Sequence, residues 1–223
     1  MKIKAIIHDW DDTITNSFES YIQFYYDFGK FHELGDPDID KIKKHWGSTV
    51  PEIVSGVWPG LDSKKAEEKT NIFMKLIKTW RKTYSIKVFP QIKETIAELD
   101  RLGIKLGVIS SGDSQQIKNI YKKQIDRELR PQCFIFDNKE LGYRKPDLRI
   151  FDKAFEILKQ FNIEEEETIY IGDSFQDYHS AKNRNLKFYA VTTGVRTKNG
   201  FIREGLHPKY ILANFNEILK LFQ

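Results

Sequence analysis

The chain has 223 residues, 40% of them hydrophobic and 30% charged, which fits an ordinary soluble globular protein of one large domain, or of a core domain with a smaller one. Thirty-six Lys and Arg face 32 Asp and Glu, a net charge of +4, with the signs mixed and no basic stripe interleaved with aromatics, so nucleic acid is not an expected partner. No apolar run approaches the ~20 residues of a membrane-spanning helix, the start MKIKAIIHDWDD is unlike a signal peptide, and a single cysteine, Cys133, excludes an intrachain disulfide; no membrane partner and a cytoplasmic location are expected.

The first apolar run, IKAII at 3–7, reads as a strand, and HDWDDT follows directly at 8–13. Asp9, Asp11 and Asp12 thus crowd the tip of a buried strand, where like charges repel and resist desolvation. From about 15 to 87 no clear strand appears. FESYIQFYYDFGKF has apolar residues at 18, 21, 22, 25 and 28, which is helical spacing, and SKKAEEKTNIFMKLIKTWRKTY is a second long amphipathic stretch. This region reads as a helical insertion whose aromatics form its own core. In PQIKETIAELDRLG, Pro90 opens a helix, Ile92, Ile96 and Leu99 line one face, and Gly103 ends it. Strands follow at 105–110 (KLGVIS), 133–136 (CFIF), 168–172 (TIYIG) and 187–191 (KFYAV), with helical periodicity at 113–123, 148–161 and 214–222. Near-continuous apolar strands alternating with helices predict an α/β fold, a doubly wound parallel sheet.

Ligands of open α/β sheets bind outside the carboxyl ends of the strands. The first strand ends in Asp9 and Asp11, which point to one side of an extended chain. The second ends in Ser110-Ser111-Gly112, and the fourth in Gly172-Asp173-Ser174, with Asp177 one helical turn on. GYRKPD, with Lys145, lies between the third and fourth strands. Asp9, Asp11 and Asp173 make a set of hard oxygen ligands of the kind Mg²⁺ takes, and the metal offsets their repulsion. A carboxylate can serve as nucleophile and a neighbouring one as acid and base, while Lys145 and the Ser110 hydroxyl hold phosphoryl oxygens.

DWDDT, LGVISSG, RKP and IYIGDSFQD, in that order across nearly the whole chain, resemble the four motifs of the haloacid-dehalogenase superfamily of phosphatases. The resemblance is greatest to the phosphoglycolate-phosphatase-like branch, with a helical cap inserted after the first strand. It implies a Rossmann-like core of 1–14 and 88–223 and a cap of 15–87, expected to sit over the carboxyl ends and to admit only a small phosphorylated metabolite. It implies that Asp9 attacks phosphorus and that Asp11 is the general acid and base, its backbone carbonyl binding Mg²⁺. Thr13 would stabilise the first loop, Ser110 would bond the phosphoryl group, Lys145 would neutralise Asp9 and the phosphate, and Asp173 would ligate Mg²⁺ with support from Asp177. Asp12 departs from the family pattern, standing where many relatives have glycine. So do VFPQI, which lacks a frequent glycine, and Leu148, which stands where a second proline is common.

Other residues carry plainer readings. Ser111 stands beside Ser110 as a candidate substrate contact, but Ser111 and Asp113 are equally suited to capping the next helix. An Asp in a first helical turn, as at 177, is favourable by itself. His8 alternates away from the nucleophile and reads as a packed core residue, Cys133 as a small hydrophobe. In KKHWGSTVPEIV, His45 and Trp46 are candidate substrate contacts, and packing of Trp46 in the insertion's core is an equal reading. Arg196 and Lys198 read as solvated loop charges. The expected protein is a Mg²⁺-dependent phosphomonoesterase, monomeric or a weak homodimer. Alternatives are a phosphosugar mutase, a phosphonate hydrolase using a cap lysine, or a non-catalytic phosphate-binding regulator.

Overall fold

In the computed structural model, which describes residues 2–83, 86–129 and 132–223, the chain opens with β1 (Ala5–His8) and runs through four helices, α1 (Ser17–Phe31), α2 (Ile39–His45), α3 (Val50–Val57) and α4 (Ser63–Thr83). It continues with α5 (Ile92–Arg101), β2 (Lys105–Ser110), α6 (Ser114–Gln124), β3 (Gln132–Asp137), α7 (Asn138–Leu141) and α8 (Asp152–Lys159). It ends with β4 (Thr168–Gly172), α9 (Phe175–Arg184), β5 (Lys187–Val191), α10 (Lys198–Arg203) and β6 (Ile211–Leu212). Two compact units result: the segment up to Asn16 with Lys87–Gln223, and Ser17–Ile86.

The first unit is built on one parallel sheet in the order β3-β2-β1-β4-β5-β6. Alternate residues of each strand feed opposite layers. Ile7, Ile109 and Tyr170 pack with Phe151, Phe155 and Phe188 on one face. Ile6, Leu106, Val108 and Ile169 pack with Ile96, Leu99 and Phe215 on the other. Burial on both faces is why the strands read as unbroken apolar runs. Gly107 has no room for a side chain, because a Cβ there would overlap the Phe134 ring. β1 lies between β2 and β4, so the connections run one way from β1 to β3 and the other way from β4 to β6. That reversal at β1/β4 is the topological switch point, where such sheets open a crevice. The unit closes across the insertion's two ends, where Asn16 N–H donates to Lys87 O at 2.9 Å and Phe89 N–H to Ile14 O at 2.9 Å.

The helical unit has an aromatic core. Phe24 meets Phe73 edge-on at 4.9 Å between centroids, Phe28 meets Phe73 at 5.0 Å, and Trp58 lies parallel to Tyr25 at 6.4 Å. The insertion's aromatics are its core, as the spacing predicts. Two short helices between α1 and α4 are absent from the periodic reading. Local chemistry starts them instead: the Asp38 carboxylate accepts from Asp40 N–H ahead of α2, and a Thr49–Glu52 capping box opens α3.

The five expected strands are present, and β6, at two residues, is too short to show a period. The segment 148–161 starts as a 3₁₀ turn, Leu148–Phe151, before α8, and the last helical segment, Phe215–Phe222, is 3₁₀ throughout. Among the described residues no helix is long and apolar enough to cross a membrane.

Candidate active site

β1 delivers Asp9 one residue beyond its last ladder position. Its N–H is held by Ile171 O at 2.8 Å, so the nucleophile candidate is anchored to the end of β4. The chain then turns tightly. Trp10 O accepts from the N–H groups of Thr13, Ile14 and Thr15, while the Trp10 side chain is buried against Tyr121. Asp12 sits in this turn at φ 54°, left-handed backbone that favours glycine. The residue thus departs from the family pattern while the backbone keeps a glycine-like form.

Lys145 is the electrostatic centre. Its Nζ lies 2.7 Å from Asp9 Oδ1 and 2.7 Å from Asp177 Oδ1, with the lysine side chain 6% exposed. Asp177 is fully buried and its oxygens are occupied. Oδ1 also accepts from the Tyr170 hydroxyl at 2.6 Å, and Oδ2 accepts from Ser174 Oγ at 2.5 Å and Ser174 N–H at 3.0 Å. Ser174 is the N-cap of α9, its hydroxyl accepting in turn from Asp177 N–H at 3.1 Å. Gly172 makes this possible, since a Cβ there would overlap the Asp177 carboxylate. Asp173, also buried, receives the Thr13 hydroxyl at 3.5 Å and makes no ion pair among the described residues. Gly194, in the loop after β5, lies so close that a Cβ would overlap Asp173 Oδ2, and Thr193 Oγ1 donates to Asp12 O at 2.5 Å in the same loop.

The acids are expensively placed. Burial pushes Asp9 up to about 7 despite the opposing pull of Lys145, with Asp177 and Asp11 adding repulsion. Burial, reinforced by Asp12, Asp9 and Asp177, pushes Asp173 well above the carboxylate range. Burial works against the lysine charge too, but Asp177 and Asp9 outweigh it and raise Lys145. Burial and the Asp177 charge keep the Tyr170 hydroxyl a proton donor.

One ammonium therefore serves two carboxylates, and a third has none. Ligand oxygens of Asp9, Asp173 and Asp177 lie within 4.8 Å of one another. A buried set of hard oxygens with uncompensated negative charge fits a divalent cation, and the repulsion that raises Asp9 and Asp173 is what such a cation relieves.

Asp11 and Ser110 meet at Gly112, where a Cβ would lie 3.1 Å from Asp11 Oδ2 and 3.4 Å from Ser110 Oγ. Ser110 Oγ accepts from Gly112 N–H at 3.0 Å. Asp113, not Ser111, caps α6, accepting from Gln116 N–H at 2.9 Å, and Ser111 is exposed. His45 and Trp46 belong to the helical unit. Trp46 is half-buried against Phe18, Tyr21 and Tyr25, with centroids 5.1 to 6.4 Å away, which is the packing reading of this residue. The His45 ring occupies the space a side chain at Gly56 would need. Arg196 is half-buried with its guanidinium over the Phe175 ring at 5.1 Å, rather than a fully solvated loop charge. Cys133 is half-buried and packs against the core.

Sequence reasoning places Ser174 at a strand end without giving it a partner, and it misses Tyr170 and Gly194. Tyr170 was hidden in an apolar run, where its ring reads as packing. For Ser174 the position ahead of a helix with Asp three residues on was an available capping-box signal.

The chain is similar to known proteins along most of its length. The sequence profile of the haloacid dehalogenase-like hydrolases matches residues 6–191. The chain is 30% identical over 243 residues to the glyceraldehyde 3-phosphate phosphatase of Methanocaldococcus jannaschii, covering 98% of this chain and 96% of that protein. It is 23% identical to the pyrophosphatase PpaX of Bacillus mycoides, over 99% of this chain and 97% of that one. The crystal structure of a predicted phosphoglycolate phosphatase from Haemophilus somnus superposes with a TM-score of 0.78 at 17% identity, covering 100% of this chain and 99% of that one. With Asp9 at the end of β1 and Asp177 in α9 bridged by a buried lysine, and a profile match spanning most of its length, the chain belongs to the haloacid dehalogenase-like hydrolase family.

Proposed function

We propose that this protein is a Mg²⁺-dependent phosphomonoester hydrolase acting on small phosphorylated metabolites through a phosphoryl group carried on Asp9. The observation that carries the reading is the buried Lys145 ammonium 2.7 Å from Asp9 Oδ1, beside a buried Asp173 that makes no ion pair among the described residues. Lys145 fixes one oxygen of Asp9 and leaves Oδ2 to attack phosphorus. The O–P bond forms as the bond to the leaving oxygen breaks, and Asp11 gives its proton to that oxygen. Water then attacks the phosphorus of phospho-Asp9, its proton passing to Asp11, and inorganic phosphate leaves with Asp9 restored. Ser110, whose oxygen already accepts from Gly112 N–H, turns its hydroxyl proton toward a phosphoryl oxygen.

Asp9 and Asp173, with the Asp11 carbonyl that the family resemblance implies, are the residues to hold Mg²⁺, and the ion when bound supplies charge stabilisation to the phosphoryl oxygens. Asp177 has both oxygens engaged, and its part is to hold Lys145. The substrates named for the relatives, glyceraldehyde 3-phosphate and pyrophosphate, are small, which supports a small phosphoester or phosphoanhydride here. Selectivity is assigned to the helical unit, with His45 and Trp46 its first candidates. The single free Cys133 suits the cytoplasm, and the protein acts as a monomer or weak homodimer.

The test is phosphate release from p-nitrophenyl phosphate by the protein with Mg²⁺, after chelation, and as Asp9→Asn. Turnover that chelation stops, Mg²⁺ restores and Asp9→Asn abolishes is the expected result. Full activity in chelated protein, or substantial turnover by folded Asp9→Asn, overturns the mechanism.

A further inference from the structure

We infer that His8 is a positioning residue, whose imidazole N–H fixes the backbone carbonyl of the nucleophile. The inference rests on Asp9 being the nucleophile proposed above. β1 ends at His8, so the Asp9 carbonyl is the first past the last ladder position. It points to its own neighbour: His8 Nδ1 lies 2.7 Å from Asp9 O. A carbonyl only accepts, so Nδ1 carries the hydrogen. The other ring nitrogen, Nε2, stands 3.2 Å from the Gln132 side-chain Nε2, a donor from the start of β3. The two contacts agree on one neutral tautomer, with Nδ1 protonated and Nε2 accepting. The ring is wholly buried, with Phe215 edge-on at 5.4 Å.

Asp9 is thereby held at three points by three different parts of the fold: its N–H by Ile171 at the end of β4, its side chain by Lys145, and its carbonyl by His8. The third point sets the plane of the Asp9–Trp10 peptide, and with it the entry to the turn in which Trp10 O collects three N–H groups. Without the donor, a buried carbonyl is left unpaired and the peptide is free to rotate towards another partner. A rotation there moves the Asp9 carboxylate relative to Lys145 and Asp173, which are held on other segments.

A purely space-filling histidine makes the opposite prediction from a positioning one, and two variants separate them. His8→Phe keeps the ring and its packing on Phe215 but has no donor. His8→Asn loses the ring volume but places an amide N–H one bond beyond Cγ, where Nδ1 stands. With p-nitrophenyl phosphate as substrate, His8→Phe is expected to hold its melting temperature and lose about tenfold to a hundredfold in kcat with KM changed less than about twofold. His8→Asn is expected to melt lower yet keep kcat within about threefold of the parent. Wild-type kcat in His8→Phe, or activity that simply follows melting temperature across both variants, overturns the inference. Should His8→Phe not fold, ¹⁵N NMR of the imidazole in the unaltered protein decides: a Nδ1–H that exchanges slowly with solvent upholds the inference, and an Nε2–H tautomer overturns it. That measurement needs no turnover, so it stands apart from any failure of the hydrolase reading.

Discussion

Asp9 and Asp173 are held in a protonation state that the unfolded chain does not share. Burial carries Asp9 from 3.8 to about 7, and burial with the neighbouring acids raises Asp173 well above the carboxylate range. In metal-free protein the native state therefore binds protons that the unfolded state releases between the two values. Stability falls as pH rises wherever the native state binds more protons, so Asp9 and Asp173 should take stability from the metal-free protein between about pH 4 and about pH 7, against the opposite contribution of His8, which burial holds down to about 4. Urea midpoints of chelated Asp9→Asn should therefore rise relative to those of the chelated parent across that window, and added Mg²⁺ should favour the parent most at the higher pH. A difference between the two proteins that does not change with pH would contradict the placement of these acids. Asp12 is a second residue-scale case, a buried carboxylate on left-handed backbone beside Asp173. Asp12→Gly should stabilise the protein by about 1 kcal/mol, since glycine adopts that backbone without strain. A lower melting temperature for the glycine variant would show that the Asp12 carboxylate makes bonds worth more than the strain.

At the scale of elements, each strand end brings one part of the site, and the close approaches between their loops set its tolerance. The loop after β5 is the tightest, because Gly194 lies against Asp173 and Thr193 is bonded to the Asp12 carbonyl. Gly194→Ala puts a methyl where Asp173 Oδ2 now stands. Its carboxylate must swing away, and the Asp12 Cβ, 3.1 Å from the added methyl, must give slightly. The expected outcome is a Mg²⁺ requirement raised by about tenfold or more with cooperative unfolding retained, read by activity against Mg²⁺ concentration and by thermal melting. An unaltered Mg²⁺ profile would mean that Asp173 does not ligate the ion. Gly107→Val tests the sheet rather than the site. Its side chain would overlap the Phe134 ring, and a loss of about 1–3 kcal/mol is expected in urea unfolding, as for other overpacked cores.

The whole molecule comprises two units whose cores are separate in kind. One is an aliphatic and aromatic double layer about a parallel sheet; the other is an aromatic cluster among helices. The α/β unit is closed by its own bonds at the insertion's two ends, Asn16 to Lys87 and Ile14 to Phe89. Residues 17–86 replaced by a short glycine linker should therefore leave a chain that still unfolds cooperatively, with the circular dichroism of an α/β protein. It should retain slow hydrolysis of acetyl phosphate and lose selectivity among larger phosphoesters. A deletion variant with no cooperative transition would show that the sheet unit depends on the helical one.

The sequence by itself determined the sheet, the insertion and the positions of the four motifs, because these are local properties. A strand buried on both faces must be a continuous apolar run, and a residue at its carboxyl end is placed by counting. Asp9, Ser110 and Asp173 were legible on that basis, and Lys145 by its place between strands. Only the tertiary structure decided how they share charge. Lys145 is 136 residues from Asp9, and nothing local says that its ammonium is also claimed by Asp177, or that Tyr170 and Ser174 hold Asp177 in place. His8 carried no more signal than any core residue between an isoleucine and an aspartate. Its bond to the Asp9 carbonyl follows from where β1 stops and from Gln132 arriving on a strand two places away in the sheet. Composition and period fix which residues are buried, whereas the partner each buried polar group finds is fixed only when distant segments meet and every such group must be satisfied.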